Sequence, residues 1–208
     1  MKDKEVKIAI LGFGFMGKVY SLAADSIKHF FPDIPYVVVK TVLVSERTDS
    51  KNIFEMRKRY GFEIITKDYS EILDDKEIDA IYIATPNNFH FDQIKLAIKH
   101  NKHILCDKPM VLNLKESLKI IELKKAKPNL ILNIVFEYRF IPAIQKIKML
   151  IENGELGDIL QFRASYLHGS YISDRPLTWR LKPQTGGATI DLGPHLLDLV
   201  NFLIGKVK

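Results

Sequence analysis

The sequence predicts an α/β fold, a doubly wound and mostly parallel sheet followed by the start of a second, incomplete α/β unit. Three observations predict it. Short Val- and Ile-rich runs alternate six times with helix-like segments between Val6 and Phe136. The first run ends in the glycine-rich Gly12-Phe13-Gly14-Phe15-Met16-Gly17 and passes at once into a helix-like segment. The alternation stops near residue 140.

The elements follow in order. Val6 to Leu11 is an apolar strand ending at Gly12, and Lys18 to Phe31 is a helix closed by Pro32. Tyr36 to Val44 is a buried strand, and Lys51 to Tyr60 a helix with Gly61 as its stop. A short strand, Glu63 to Thr66, precedes one or two helical turns at Tyr69 to Leu73. Ala80 to Ala84 is a fourth strand, stopped by Thr85-Pro86. Asn87 or Asn88 caps a helix whose apolar side is Phe91, Ile94 and Ile98. His103 to Cys106 is the fifth strand. Asn113 caps a helix with an expected apolar side of Leu114, Leu118 and Ile121, and Leu130 to Phe136 is the sixth strand. Right-handed crossovers then bring the strand C-termini to one edge, where ligands bind in such sheets.

Beyond residue 140 the pattern changes. Ile144, Ile147 and Ile151 mark a helix, and Asp158 to His168 reads as a longer strand with Phe162, Ala164 and Tyr166 on one face. An irregular stretch, Gly169 to Gly187, leads to an apolar helix over Ala188 to Leu203. One long strand without partners would leave unpaired edges, so the chain is expected to represent part of a longer protein. The expected domains are residues 1–137 and 138–208.

Composition bounds the function. With 47% hydrophobic and 27% charged residues, the chain has the balance of a soluble globular protein. No run approaches the roughly 20 apolar residues of a membrane span. The charged start, MKDKEVK, lacks the apolar core of a secretion signal, and the single Cys106 excludes an internal disulfide framework. A cytoplasmic location follows as the expectation. The net charge of +6 is spread along amphipathic segments, which argues for solvated helix faces rather than a nucleic-acid surface. No metal site is expected.

Four groups of residues carry chemistry. The glycine pattern G-x-G-x-x-G sits between a strand and a helix, where Gly12 permits a tight turn, Gly14 leaves room for a pyrophosphate and Gly17 allows close helix packing. The helix N-terminus adds free N–H groups and partial positive charge. By itself this motif also fits a glycine-rich turn of another α/β protein. The second group is Cys106-Asp107-Lys108-Pro109, which places a lysine after a buried strand at the ligand edge, where it can polarise an oxygen or exchange a proton, although an isolated Lys-Pro is usually a surface lysine before a turn. In the third, Asp191 and His195 are four apart, so they share one helix face, and Asp191 can orient an imidazole that takes a hydroxyl proton. A capping Asp beside a packed His reads equally well. Trp179-Arg180, followed by Gly186-Gly187, offers aromatic and guanidinium groups to a sugar-like ligand.

The order of these pieces resembles the Gfo/Idh/MocA oxidoreductases, the glucose–fructose oxidoreductase and inositol dehydrogenase group. The glycine loop, TPNNFH, a KP dipeptide after a strand, YRF-P, GELGDI and WR…GG…DLGPH follow one another from Val6 to about Gly205. The resemblance implies a Rossmann domain, then an α/β domain with a large, open, mainly antiparallel sheet, of which most is missing here. It implies an NAD(P)-dependent dehydrogenase or reductase acting on a sugar, polyol or related carbohydrate. It also implies a homo-oligomer, dimer or tetramer, in the full-length form. Lys108, Asp191 and His195 match the family's catalytic set. His195 would serve as acid/base, Lys108 would hold the reacting oxygen, and Asp191 would contact the substrate or fix the His. The cofactor residues implied are Gly12, Phe13, Gly14, Phe15, Met16, Gly17, Ser45, Glu46, Arg47, Thr85, Pro86, Asn87, His90 and Asp107. Arg139, Trp179 and Arg180 are substrate-side candidates.

Two departures stand out. The usual Glu of the E-K-P motif is Asp107, one methylene shorter. An Asp common at the end of the second strand is Ser45, followed by Glu46 and Arg47. Ser45 and Arg47 suit a 2′-phosphate, whereas Glu46 suits the ribose hydroxyls, so NADP is slightly favoured over NAD. The alternatives are a redox-recycling carbohydrate lyase or hydrolase, and a non-catalytic cofactor-binding sensor.

Overall fold

The computed structural model describes residues 3–46, 50–169, 180, 182 and 185–206. The chain divides into two compact units, residues 1–134 and 135–208, which are described separately.

The first unit is built on six strands: β1 (Lys4–Leu11), β2 (Tyr36–Val44), β3 (Ile64–Thr66), β4 (Ala80–Ile83), β5 (His103–Cys106) and β6 (Leu132–Ile134). All five pairings are parallel, and the spatial order is β3-β2-β1-β4-β5-β6. Helices cover such a sheet on both faces, which is why its strands read as nearly continuous apolar runs. Ala9, Ile10, Leu11, Leu43, Ile81, Ile83 and Cys106 are fully buried. The chain winds outward from β1 in both directions, so the point of reversal lies between β1 and β4. There the connections after the two strands diverge, the place where sheets of this kind bind ligands.

The helices of this unit are α1 (Phe15–Phe30), α2 (Ser50–Tyr60), α3 (Ser70–Leu73), α4 (His90–Lys99) and α5 (Leu114–Lys125). Helix α4 buries Ile94, Ala97 and Ile98 at helical spacing. Asn113 caps α5, its side chain accepting from the Glu116 N–H at 2.9 Å, while the Glu116 carboxylate accepts from the Leu112 N–H at 3.2 Å. The apolar side expected for α5 does not face the core. Leu114, Leu118 and Ile121 are exposed, whereas Ile120 is fully buried and Leu123 packs against the same cluster. The inward stripe contains only two large apolar residues, so its periodicity is weaker than that of the outward one.

In the second unit a 3-10 turn, Glu137–Phe140, leads into α6 (Pro142–Glu152), and the unit ends in α7 (Ala188–Asp191) and α8 (Gly193–Leu203). Two expectations are corrected here. Residues 158–168 form no strand, because among the described residues nothing pairs with them. The single terminal helix is two helices, since Pro194 has no N–H to donate and its ring crowds the preceding turn. Arg139 joins the turn to α8 through a two-pronged ion pair with Asp198, Nε donating to Oδ2 at 2.8 Å and an Nη donating to Oδ1.

Candidate active site

The glycine loop leaves β1 at the point of reversal. The Gly12 N–H donates to the Val44 carbonyl at 2.9 Å, and the Ala84 N–H to the Leu11 carbonyl at 2.8 Å. Gly12 has φ of +85°, and a Cβ there would stand 2.7 Å from the Ala84 carbonyl oxygen. A Cβ on Gly17 would meet the Gly12 carbonyl oxygen at 2.2 Å. Gly17 therefore lets the first turn of α1 sit directly on the glycine turn. Gly14 is the opposite case: a Cβ there would meet nothing within 4 Å. It borders open space at the N-terminus of α1, where the first turn holds no acidic residue and no side chain caps the helix. N–H groups and helix dipole are thus left for an anion. Phe15 is exposed and Met16 half-buried beside this space. Phe13 is turned inward, its ring edge-on to Tyr60 and Phe62 at 4.8 and 5.6 Å, so only its main chain borders the cradle.

Three further strand ends share this edge. Ser45 is buried, its N–H donating to the Thr66 carbonyl at 2.9 Å, and Glu46 is exposed. Arg47 lies outside the described residues. After β4, the Thr85 hydroxyl donates to Gln93 Oε1 at 2.6 Å, Pro86 is half-buried and Asn87 is buried. After β5, the Asp107 N–H continues the ladder by donating to the Ile83 carbonyl at 2.9 Å. The Asp107 carboxylate accepts from the Lys108 N–H at 3.0 Å, and the Lys108–Pro109 bond is cis. His90 is almost fully buried, with Nδ1 2.8 Å from the Pro109 carbonyl oxygen and Nε2 3.0 Å from that of Thr85. Burial pushes its imidazole below the ordinary range, against the upward pull of the two carbonyls. Cys106, fully buried, is pushed well above the usual thiol value by desolvation.

In the second unit His195 is 4% exposed and sits among aromatic rings. Tyr138 stacks on it at 4.6 Å between centroids, with Tyr166 at 5.9 Å and Phe136 edge-on at 6.5 Å. The two tyrosine hydroxyls are 2.5 Å apart, Tyr138 donating to Tyr166. Desolvation and then this bond raise the Tyr138 phenol. Glu137 Oε1 lies 4.0 Å from His195 Nδ1. Asp191 ends α7 and His195 lies in the first turn of α8, so the two do not share one continuous helix face. Asp191 Oδ1 is 3.7 Å from Arg180 Nε. Arg139 spends its guanidinium on the buried Asp198, which raises its own pKa through that hydrogen bond. Trp179 lies outside the described residues.

Lys108 and the glycine loop thus belong to the first unit, and Asp191, His195, Arg139 and Arg180 to the second. Sequence reasoning assigned no role in the site to Gln93, Tyr138, Tyr166 or Asp198. Asp198 carried a signal: it lies three residues after His195 on a largely apolar helix, a costly place for an unpaired carboxylate.

Comparison with known proteins gives matches over both units. Residues 6–134 match the family profile described as the oxidoreductase family, NAD-binding Rossmann fold, and residues 144–208 match the GFO/IDH/MocA C-terminal domain. Levoglucosan dehydrogenase of Pseudarthrobacter phenanthrenivorans is 34% identical over 206 residues, covering 98% of this chain and 52% of that protein. A solved structure of levoglucosan dehydrogenase in complex with NADH superposes with a TM-score of 0.91 at 34% identity, over 98% of this chain and 55% of the other. D-xylose 1-dehydrogenase (NADP(+)) of Hypocrea jecorina is 29% identical over 85% of this chain and 45% of its own length. The chain spans about half the length of the curated relatives it matches.

Proposed function

The chain belongs to the Gfo/Idh/MocA oxidoreductase family, and from that premise we propose that the protein is an NAD(P)-dependent dehydrogenase or reductase of a sugar, polyol or related carbohydrate. The observation that carries this reading is the glycine loop. Gly12 and Gly17 tolerate no Cβ, whereas Gly14 borders open space at the reversal point of the sheet. That is a cradle shaped for a pyrophosphate rather than a turn that merely reverses the chain. Relatives named as levoglucosan and D-xylose dehydrogenases support the substrate class.

In this reading the main chain of Gly12 to Gly17 holds the phosphates, and Thr85, Pro86 and Asn87 border the nicotinamide half. Bound nicotinamide supplies the hydride acceptor or donor, which no side chain can replace. Lys108 holds and polarises the reacting oxygen, and a cation there favours the form of that oxygen that carries more negative charge. His195 takes the hydroxyl proton during oxidation and returns it during reduction. Its enclosure by Tyr138, Tyr166 and Phe136 keeps water from competing for that proton. Asp191 contacts the substrate, and Arg180 and Trp179 border it. Ser45 and Arg47 favour NADP slightly, against the repulsion of a 2′-phosphate by Glu46. We further propose a cytoplasmic location, a homo-oligomer in the full-length form, and no nucleic-acid partner. The single buried cysteine fits a reducing compartment, and among the described residues no helix is long and apolar enough to cross a membrane.

The test is turnover with NADP or NAD and a panel of sugars and polyols, followed at the reduced-nicotinamide absorbance band. Lys108→Ala should abolish turnover and leave cofactor affinity largely intact. Cofactor binding without turnover on any member of the panel would count against the dehydrogenase reading.

A further inference from the structure

Strands β4 and β5 are paired as far as Ile83 and Cys106, and the last main-chain bond of that ladder is from the Asp107 N–H to the Ile83 carbonyl. Beyond it the two loops that carry Thr85 and Lys108 have left the sheet. His90 stands at this gap. It opens α4, is 1% exposed, and places one ring nitrogen against a carbonyl of each loop, Nε2 at 3.0 Å from Thr85 O and Nδ1 at 2.8 Å from Pro109 O. Pro109 directly follows Lys108, so holding its carbonyl restrains the main chain from which the lysine side chain starts. On the other side of Lys108, Asp107 holds its N–H at 3.0 Å. The main chain on both sides of Lys108 is therefore in contact with a side chain, Asp107 at its N–H and the His90 ring at the Pro109 carbonyl. With both nitrogens turned to main-chain carbonyls in a buried setting, the His90 ring has no polar atom left to offer a cofactor.

We propose that His90 is a positioning residue for Lys108, a cross-link between the Thr85 loop and the Lys108–Pro109 loop that fixes where the lysine ammonium stands. This rests on the role of Lys108 in the reaction proposed above, and it replaces the direct cofactor contact expected of His90 from the sequence. The ring suits the task because it is rigid and carries polar atoms on opposite sides, a span that no hydroxyl offers. A neutral imidazole donates one hydrogen bond, so the ring is hydrogen-bonded to one of the two carbonyls and packed against the other, and a side-chain amide of fitting length can restore that one bond.

The experiment compares the wild-type protein with His90→Ala, His90→Asn and His90→Gln. Turnover constants are measured at saturating cofactor, reduced-cofactor affinity by fluorescence titration, and the Lys108 environment by NMR after ¹³C reductive methylation, with Lys108→Arg identifying the resonance. His90→Ala should lower kcat by about 10- to 100-fold, as expected of a displaced catalytic group, and move the Lys108 resonance. Cofactor affinity should change far less than kcat. One of the amide variants should recover part of both losses. The proposal is overturned if the Lys108 resonance of His90→Ala stays where it is in the wild type. It is equally overturned if lost turnover only tracks lost folded protein. Should the wild type turn over no carbohydrate, the dehydrogenase reading fails separately, and the Lys108 resonance alone decides the positioning role.

Discussion

Gly14 and Gly17 should respond in opposite ways to the same substitution. In Gly17→Ala the new Cβ falls 2.2 Å from the Gly12 carbonyl oxygen and 3.2 Å from its carbon, both backbone atoms of a turn already held by neighbouring strands. Overpacking at its upper range costs about 3 kcal/mol, and the better helix propensity of alanine returns about 1, leaving roughly 2 kcal/mol of destabilisation. For a chain of this size that is a fall in Tm of about 4–8 °C. In Gly14→Ala the backbone, at φ −74° and ψ −158°, accepts an alanine, and the Cβ meets nothing within 4 Å. The small loss at a helix N-cap and the small gain from a less flexible unfolded chain offset one another within about 1 kcal/mol. The methyl instead occupies the cradle. Losing one charge-assisted bond to a phosphate, about 1.5–3 kcal/mol, weakens cofactor binding about 10- to 100-fold. Thermal unfolding by circular dichroism and titration of reduced nicotinamide fluorescence measure the two effects on each variant. If Gly14→Ala lowers Tm as far as Gly17→Ala, or binds cofactor as tightly as the wild type, the assignment of Gly14 to the cradle is wrong.

Arg139→Met should destabilise the protein by about 1.5–3 kcal/mol in denaturant titration, because it strands the Asp198 carboxylate, 7% exposed, without its guanidinium. Arg139→Lys should recover only part of that, since an ammonium cannot reproduce the two-pronged fork; equal stability of all three proteins would exclude a structural role for the pair. His90 supplies a pH dependence. Its folded-state pKa lies below the ordinary 6.5, so as pH falls the unfolded chain binds the proton first. The contribution is complete above about pH 6.5 and is lost as pH drops below it. Tm should therefore fall more steeply between about pH 7 and about pH 5 in the wild type than in His90→Gln, and parallel curves would refute the shift.

The six strands were legible because each is buried on both faces and so stands out as an apolar run between polar turns. The glycine loop was legible because its backbone requirements admit few residues. Less was legible in α5, where the more hydrophobic stripe of Leu114, Leu118 and Ile121 faces outward and Ile120 alone is fully buried. The four-residue spacing of Asp191 and His195 suggested one helix face, but Pro194 divides the helix between them. The alternation of residues 158–168 suggested a strand, yet alternation records only which side chains are apolar, and a strand needs a partner.

The difference follows from what each property depends on. The strands as elements, their alternation with helices and the glycine turn rest on local backbone preference and on burial patterns repeated along the chain, which neighbouring residues encode. Residue partnerships are another matter. His90 on Thr85 and Pro109, Arg139 on Asp198, and Tyr138 on His195 join positions 5 to 59 residues apart in the chain. No local periodicity marks them, because each partner is chosen by the packing of elements that fold independently of that spacing. The sequence determined that a tight glycine turn would join the first strand to the first helix at the end of β1; the tertiary structure decided which side chains and carbonyls meet around it.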